Sequence, residues 1–90
     1  MAEIIKAACA GTEEKSDCRV EISPCGSGIE LDIQSVVMNQ FGQAIEQSIR
    51  EVLQELGVTC ARVNVTDRGA LDCVLRARVE TAALRGMDEA

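Results

Sequence analysis

From Asp17 the chain alternates strictly, with Cys18, Val20 and Ile22 apolar and Asp17, Arg19, Glu21 and Ser23 polar. A period of two describes a strand with one face buried and the other wet. Alternation resumes with Ile29, Leu31 and Ile33 against Glu30, Asp32 and Gln34. Between the two runs stands Pro24-Cys25-Gly26-Ser27-Gly28, a turn composition that holds the only proline. Two alternating runs around a short glycine-containing loop predict a β-hairpin. The period then changes to three and four: Val37, Phe41, Ile45, Ile49, Val52, Leu53 and Leu56 predict an amphipathic helix over 36–56. Ser35 is placed to cap it, Glu46 and Arg50 stand in the favourable i,i+4 order, and Gly57 supplies a left-handed C-terminal residue.

Val58 to Thr66 returns to alternation, with Ala61, Val63 and Val65 inward. Asp67-Arg68-Gly69 reads as a tight turn, with Asp67 as N-cap of a second helix over 70–85 that Gly86 ends. Its apolar face is Leu71, Val74, Leu75, Val79 and Ala82. Residues 1–16 have no clean period; Ile4, Ile5, Ala7, Ala8 and Ala10 fit a short extended arm or a frayed helical turn. Gly11 to Asp17 reads as an exposed loop.

The predicted fold is therefore α+β, in the order β-β-α-β-α: a small three-stranded, mostly antiparallel sheet with two helices on one face. The preferred strand order puts the first strand in the centre (2-1-3); a 1-2-3 order with a parallel crossover is the alternative. The chain reads as a single domain over 1–90, with its core in 10–85 and flexible ends at 1–9 and 87–90. Phe41, Ile45, Leu71 and Leu75 are expected in that core.

Composition narrows the function. With 9 Lys and Arg against 15 Asp and Glu, the net charge is 9 − 15 = −6, which opposes nucleic acid and anionic membrane surfaces. One aromatic residue in 90 excludes base stacking as a mode of action. Histidine is absent, which removes Ser–His and Cys–His nucleophile pairs and the commonest metal ligand. The five cysteines have no Cys-x-x-Cys spacing, so neither a zinc ribbon nor a redox dithiol is present. Free thiols, with no basic segment leading into an apolar stretch, predict a cytoplasmic protein. The paired carboxylates Glu13 with Glu14 and Glu30 with Asp32 read as solvated faces, and Gly26-Ser27-Gly28 lacks the lysine of a phosphate loop. A self-sufficient enzyme is not indicated.

Three blocks carry a resemblance: Ala10-Gly11-Thr12-x-Glu14-x-Ser16-Asp17, Gln40-Phe41-Gly42-x-Ala44-Ile45, and Asp67-x-Gly69-Ala70-Leu71-Asp72-Cys73-Val74-Leu75-Arg76-Ala77-Arg78-Val79-Glu80. Together they closely resemble the acyl carrier (gamma) subunits of citrate lyase over roughly residues 10 to 85. The resemblance implies a non-catalytic subunit with phosphoribosyl-dephospho-coenzyme A on a loop serine through a phosphodiester. It also implies a hetero-oligomeric complex. The alpha subunit exchanges carrier-bound acetyl for citrate, and the beta subunit cleaves the citryl thioester to oxaloacetate. A prosthetic-group transferase loads the carrier. Bond making then belongs to the partners and thiol chemistry to the cofactor.

Family loops commonly read Leu-Glu-Ser-(Gly or Ser)-Asp, with the first serine modified. Here Glu13-Glu14-Lys15-Ser16-Asp17 puts lysine at that place and a serine one residue later. Lysine cannot accept the phosphodiester, so Ser16 is the expected attachment residue, with Thr12 as the fallback. Two alternatives stand beside this reading: a carrier of a malonate-decarboxylase-like complex, and an unmodified interaction module of a lyase complex.

Overall fold

A computed structural model describes residues 3–26, 28–35 and 38–88, without the side chains of 38–42. The elements are β1 (Ala8–Gly11), β2 (Cys18–Ser23), β3 (Ile29–Ser35), α1 (Met38–Glu55), β4 (Ala61–Asp67) and α2 (Asp72–Met87). The strands form one sheet in the order β1-β2-β4-β3, with β1–β2 and β2–β4 antiparallel and β3–β4 parallel. The α+β class and the two helices agree with the sequence reading. The sheet has four strands rather than three, and it is mixed.

The predicted hairpin does not form. β4 lies between β2 and β3, with Val65 opposite both Val20 and Ile33. Alternation specifies which face of a strand is buried and is silent on its neighbours. The β3-α1-β4 unit brings β4 back parallel to β3, and β2 then pairs with β4's other edge. The first strand of the predicted scheme does lie beside the last, as preferred, but the last strand holds the centre. β1 has only four residues, Ala-Cys-Ala-Gly, too short and too small to declare a period.

One face of the sheet is covered and the other is wet. Cys18, Val20, Ile22, Ala61, Val63 and Val65 are buried, whereas Arg19, Glu21, Arg62 and Asn64 are exposed. α2 packs on β1 and β2, and α1 packs on α2 and β3. Between them lie Ile45, Ile49, Val52, Leu53, Leu75, Val79, Ala82 and Ala83. α1 ends as expected: Gly57 has φ +77°, and its N–H donates to the Gln54 carbonyl at 3.0 Å while the Val58 N–H reaches the Leu53 carbonyl at 2.9 Å. These are the two bonds of a Schellman cap, and Val58 and Leu53 are both buried in the core cluster.

Several residues differ from expectation. Leu71 is 71% exposed, because α2 begins at Asp72 and Leu71 is its extended N-cap (φ −68°, ψ 155°), outside the helical face. Ile45 and Leu75 are buried as predicted, while the Phe41 side chain lies outside the described residues. α2 continues through Gly86, where the sequence predicts its end, to Met87. Gly86 is buried against the N-terminal segment: a Cβ there would lie 3.2 Å from Ile4 Cγ2 and from the Lys6 carbonyl oxygen. Ile5 and Lys6 both donate backbone N–H groups to the Gly86 carbonyl, and Ile4 is only 5% exposed. Ile4 thus packs with the core cluster.

Candidate functional site

The loop 12–17 joins β1 to β2, and its ends are set by two unusual backbones. Gly11 has φ +89°, and a Cβ there would fall 1.9 Å from the Cys18 carbonyl oxygen, so only glycine fits. Ser16 has φ +67°, the one positive φ among the described non-glycine residues. Its left-handed conformation is held from across the sheet: the Ser16 N–H donates to the Arg68 carbonyl at 2.9 Å, and the Arg68 N–H donates to the Asp17 carbonyl at 2.9 Å. These bonds continue the β2–β4 ladder one step past the Cys18–Asp67 pair.

Asp17 organises the loop interior. Its carboxylate accepts from the Thr12 hydroxyl (2.7 Å), the Cys18 N–H (2.7 Å), and Nε and Nη2 of Arg78 (3.2 Å each). The Thr12 hydrogen bond, then the Cys18 amide, and the Arg78 guanidinium hold the carboxyl down to about 2, against an opposing effect of burial. It is thus ionised and engaged at neutral pH, and it is no general base. Thr12 is also fully used, since its hydroxyl accepts the Glu14 N–H at 3.2 Å while donating to Asp17. The Ser16 hydroxyl is exposed and has no partner among the described residues.

The neighbouring turn is equally fixed. Asp67, 3% exposed, accepts the Ser35 hydroxyl at 2.7 Å and the Ala70 N–H at 3.0 Å. Asp67 therefore closes the turn rather than capping α2, and Ser35 ties the end of β3 to it. An open groove lined by Glu13, Gln34, Ser35, Thr66, Asp67 and Arg68 runs beside the loop. Elsewhere Arg76 bridges α2 to α1, reaching Glu51 at 2.6 Å and Asp72 at 2.7 Å. Burial, with Asp17 and Asp67 nearby, pushes the Cys18 thiol up to about 11, so Cys18 is a core residue without nucleophilic character.

Sequence reasoning named Ser16 and Thr12 as candidates and did not reach Arg68 and Arg78, which hold the Ser16–Asp17 backbone and the Asp17 carboxylate. Arg78 is 61 positions from Asp17, and no local pattern links the two. A pinned loop that holds an exposed, unengaged hydroxyl is suited to presenting a chemical group, as a carrier domain does.

Comparison with known proteins agrees. The family described as malonate decarboxylase delta subunit, an acyl carrier family, matches residues 5–86. A Haemophilus influenzae (strain PittEE) citrate lyase acyl carrier protein is 54% identical over 87 residues, covering 97% of this chain and 90% of the relative. Citrate lyase acyl carrier protein 2 of Salmonella typhimurium is 53% identical over 88 residues, covering 97% and 91%. The fold recurs, at 19% identity and a TM-score of 0.80, in a Pseudomonas malonate decarboxylase hetero-tetramer in complex with malonate, over 91% of this chain and 84% of that one. The chain belongs to the citrate lyase acyl carrier protein family, as its three sequence blocks suggested.

Proposed function

We propose that Ser16 is the residue through which this carrier holds phosphoribosyl-dephospho-coenzyme A, as a phosphodiester at Oγ. The observation that carries this reading is the contrast between the two candidate hydroxyls: Thr12 is hydrogen-bonded as donor and acceptor, and Ser16 is exposed with no partner among the described residues. The residues present fit such a group. Ser16 stands on a backbone pinned to that of Arg68 and follows Lys15 in the chain, so two exposed cationic residues neighbour the one that is to bear a phosphate. Lys15, at the place where the family's serine usually stands, acts as a charge beside the attachment point.

When bound, the group supplies a terminal thiol that holds acetyl and citryl units as thioesters. This chain's part is to hold Ser16 clear of the sheet and to keep the Ser16 backbone fixed through Arg68, Asp17 and Arg78. The partners in this reading are the citrate lyase alpha and beta subunits and the prosthetic-group transferase, in the cytoplasm. Identity above 50% to citrate lyase carriers favours that complex over a malonate-decarboxylase-like one, for which the structural likeness stands at 19%.

Intact mass after coexpression with the transferase tests the assignment. The wild type is expected to gain the cofactor mass and Ser16→Ala to gain none. Gain of the mass by Ser16→Ala would move the site to Thr12. No gain by either would favour the unmodified interaction module.

A further inference from the structure

On the reading that Ser16 bears a phosphate-linked group, we propose that Arg68, assisted by Lys15, is a phosphate-recognition site that holds the group's phosphates against the β4–α2 turn. Arg68 differs from the other arginines of the chain. Arg19, Arg50, Arg62, Arg76 and Arg78 each pair with a carboxylate, and Arg85 donates to the Cys9 carbonyl at 2.8 Å. Among the described residues the Arg68 guanidinium has no acceptor, nor does the Lys15 ammonium.

That vacancy sits at a particular place. Arg68 is the residue whose N–H and C=O both bond the Ser16–Asp17 backbone, so its side chain starts from the strand position beside the proposed attachment residue. It opens on the groove that Gln34, Thr66 and Glu13 line with it. Asp67, the nearest carboxylate in sequence, also lines the groove, but it is buried and its two oxygens are taken up by the Ser35 hydroxyl and the Ala70 amide. A guanidinium offers a planar fork of donors that matches phosphate oxygens in pairs, and an ammonium offers a point charge. In a chain of net charge −6, two cationic residues without internal partners, one preceding Ser16 in the chain and one bonded to its backbone, are available to an external anion without first breaking an ion pair. Glu13 also lines the groove, and its carboxylate disfavours an anion in its immediate neighbourhood.

The test uses ³¹P and ¹⁵N NMR on the carrier before and after loading. In the loaded wild type, the phosphorus lines are expected to be broadened by tumbling with the protein. Arg68→Gln should still load at Ser16 by mass but give lines narrowed at least twofold, with Arg68→Lys intermediate. Before loading, inorganic diphosphate should shift the Arg68 Nε–H and Lys15 amide signals saturably. The response of the Lys15 amide should be at least threefold weaker in Arg68→Gln and unchanged in Arg50→Gln, whose charge pairs with Glu46. Equal linewidths in loaded wild type and Arg68→Gln would overturn this proposal while leaving Ser16 as the carrier residue. Failure of the wild type to load would remove both, and equal diphosphate responses in Arg68→Gln and wild type would overturn the site independently of loading.

Discussion

Ser16 carries two roles that substitution can separate. Its left-handed backbone costs a non-glycine residue on the order of 1 kcal/mol, and the Arg68 carbonyl holds it there. Ser16→Gly removes that strain while losing the hydroxyl, so its stability in urea denaturation is expected to match or exceed the wild type by up to about 1 kcal/mol, offset by glycine's greater unfolded-state entropy. A clear loss would mean that the side chain supports the loop. Asp17 gives the complementary case. Its carboxyl lies at about 2 in the folded chain against 3.8 as an ordinary value, so it binds its proton less readily when folded. Its contribution is complete above about pH 3.8 and lost as pH falls through 2. Thermal midpoints from pH 7 to 2 should therefore fall less steeply below pH 4 for Asp17→Asn than for wild type. Some slope should remain, because hydrogen bonds lower Glu30 (chiefly from Cys25), Glu51 (chiefly from Arg76) and Asp72 (chiefly from Ser48). Parallel curves for the two proteins would show that Asp17 is not held ionised by its partners.

At the scale of elements, the faces were legible and the neighbours were not. Period-two alternation placed Cys18, Val20, Ile22, Ala61, Val63 and Val65 inward, and all six are buried. The same pattern is satisfied whether β2 pairs with β3 or with β4, and the centre went to the strand that returns from α1. β1 stayed hidden because small residues bury without announcing a period, and Gly86 because its role depends on Ile4, 82 positions away. Leu71 was misplaced for a local reason: it is in phase with Leu75, but an N-cap in extended conformation does not share the helical face. Leu75→Ala should cost about 2–5 kcal/mol as a buried large-to-small change, and Leu71→Ala less than about 0.5 kcal/mol. Chemical denaturation of the pair checks the helix boundary; equal losses would put Leu71 in the core.

Over the whole molecule, the chemistry-bearing residues are few and gather at one end of the sheet. The loop 12–17 was legible as the candidate site because hydroxyls and charges follow a glycine there, while its supports came from β4 and α2, far along the chain. Most cations are absorbed by internal pairs, whereas Lys15 and Arg68, exposed neighbours of Ser16 in sequence and in backbone bonding, have no carboxylate partner among the described residues. The account rests on one covalent bond, and the sequence offers a direct way to locate it. Trypsin cleaves after Lys6, Lys15 and Arg19, so Thr12 falls in peptide 7–15 and Ser16 in peptide 16–19. Tandem mass spectrometry of the digested carrier, isolated after coexpression with the transferase, should find the cofactor mass on 16–19, or on Ser16 within 7–19 where the modification blocks cleavage at Lys15. Cofactor mass confined to peptide 7–15, or absent from both while the transferase loads a serine-bearing relative in parallel, would contradict it.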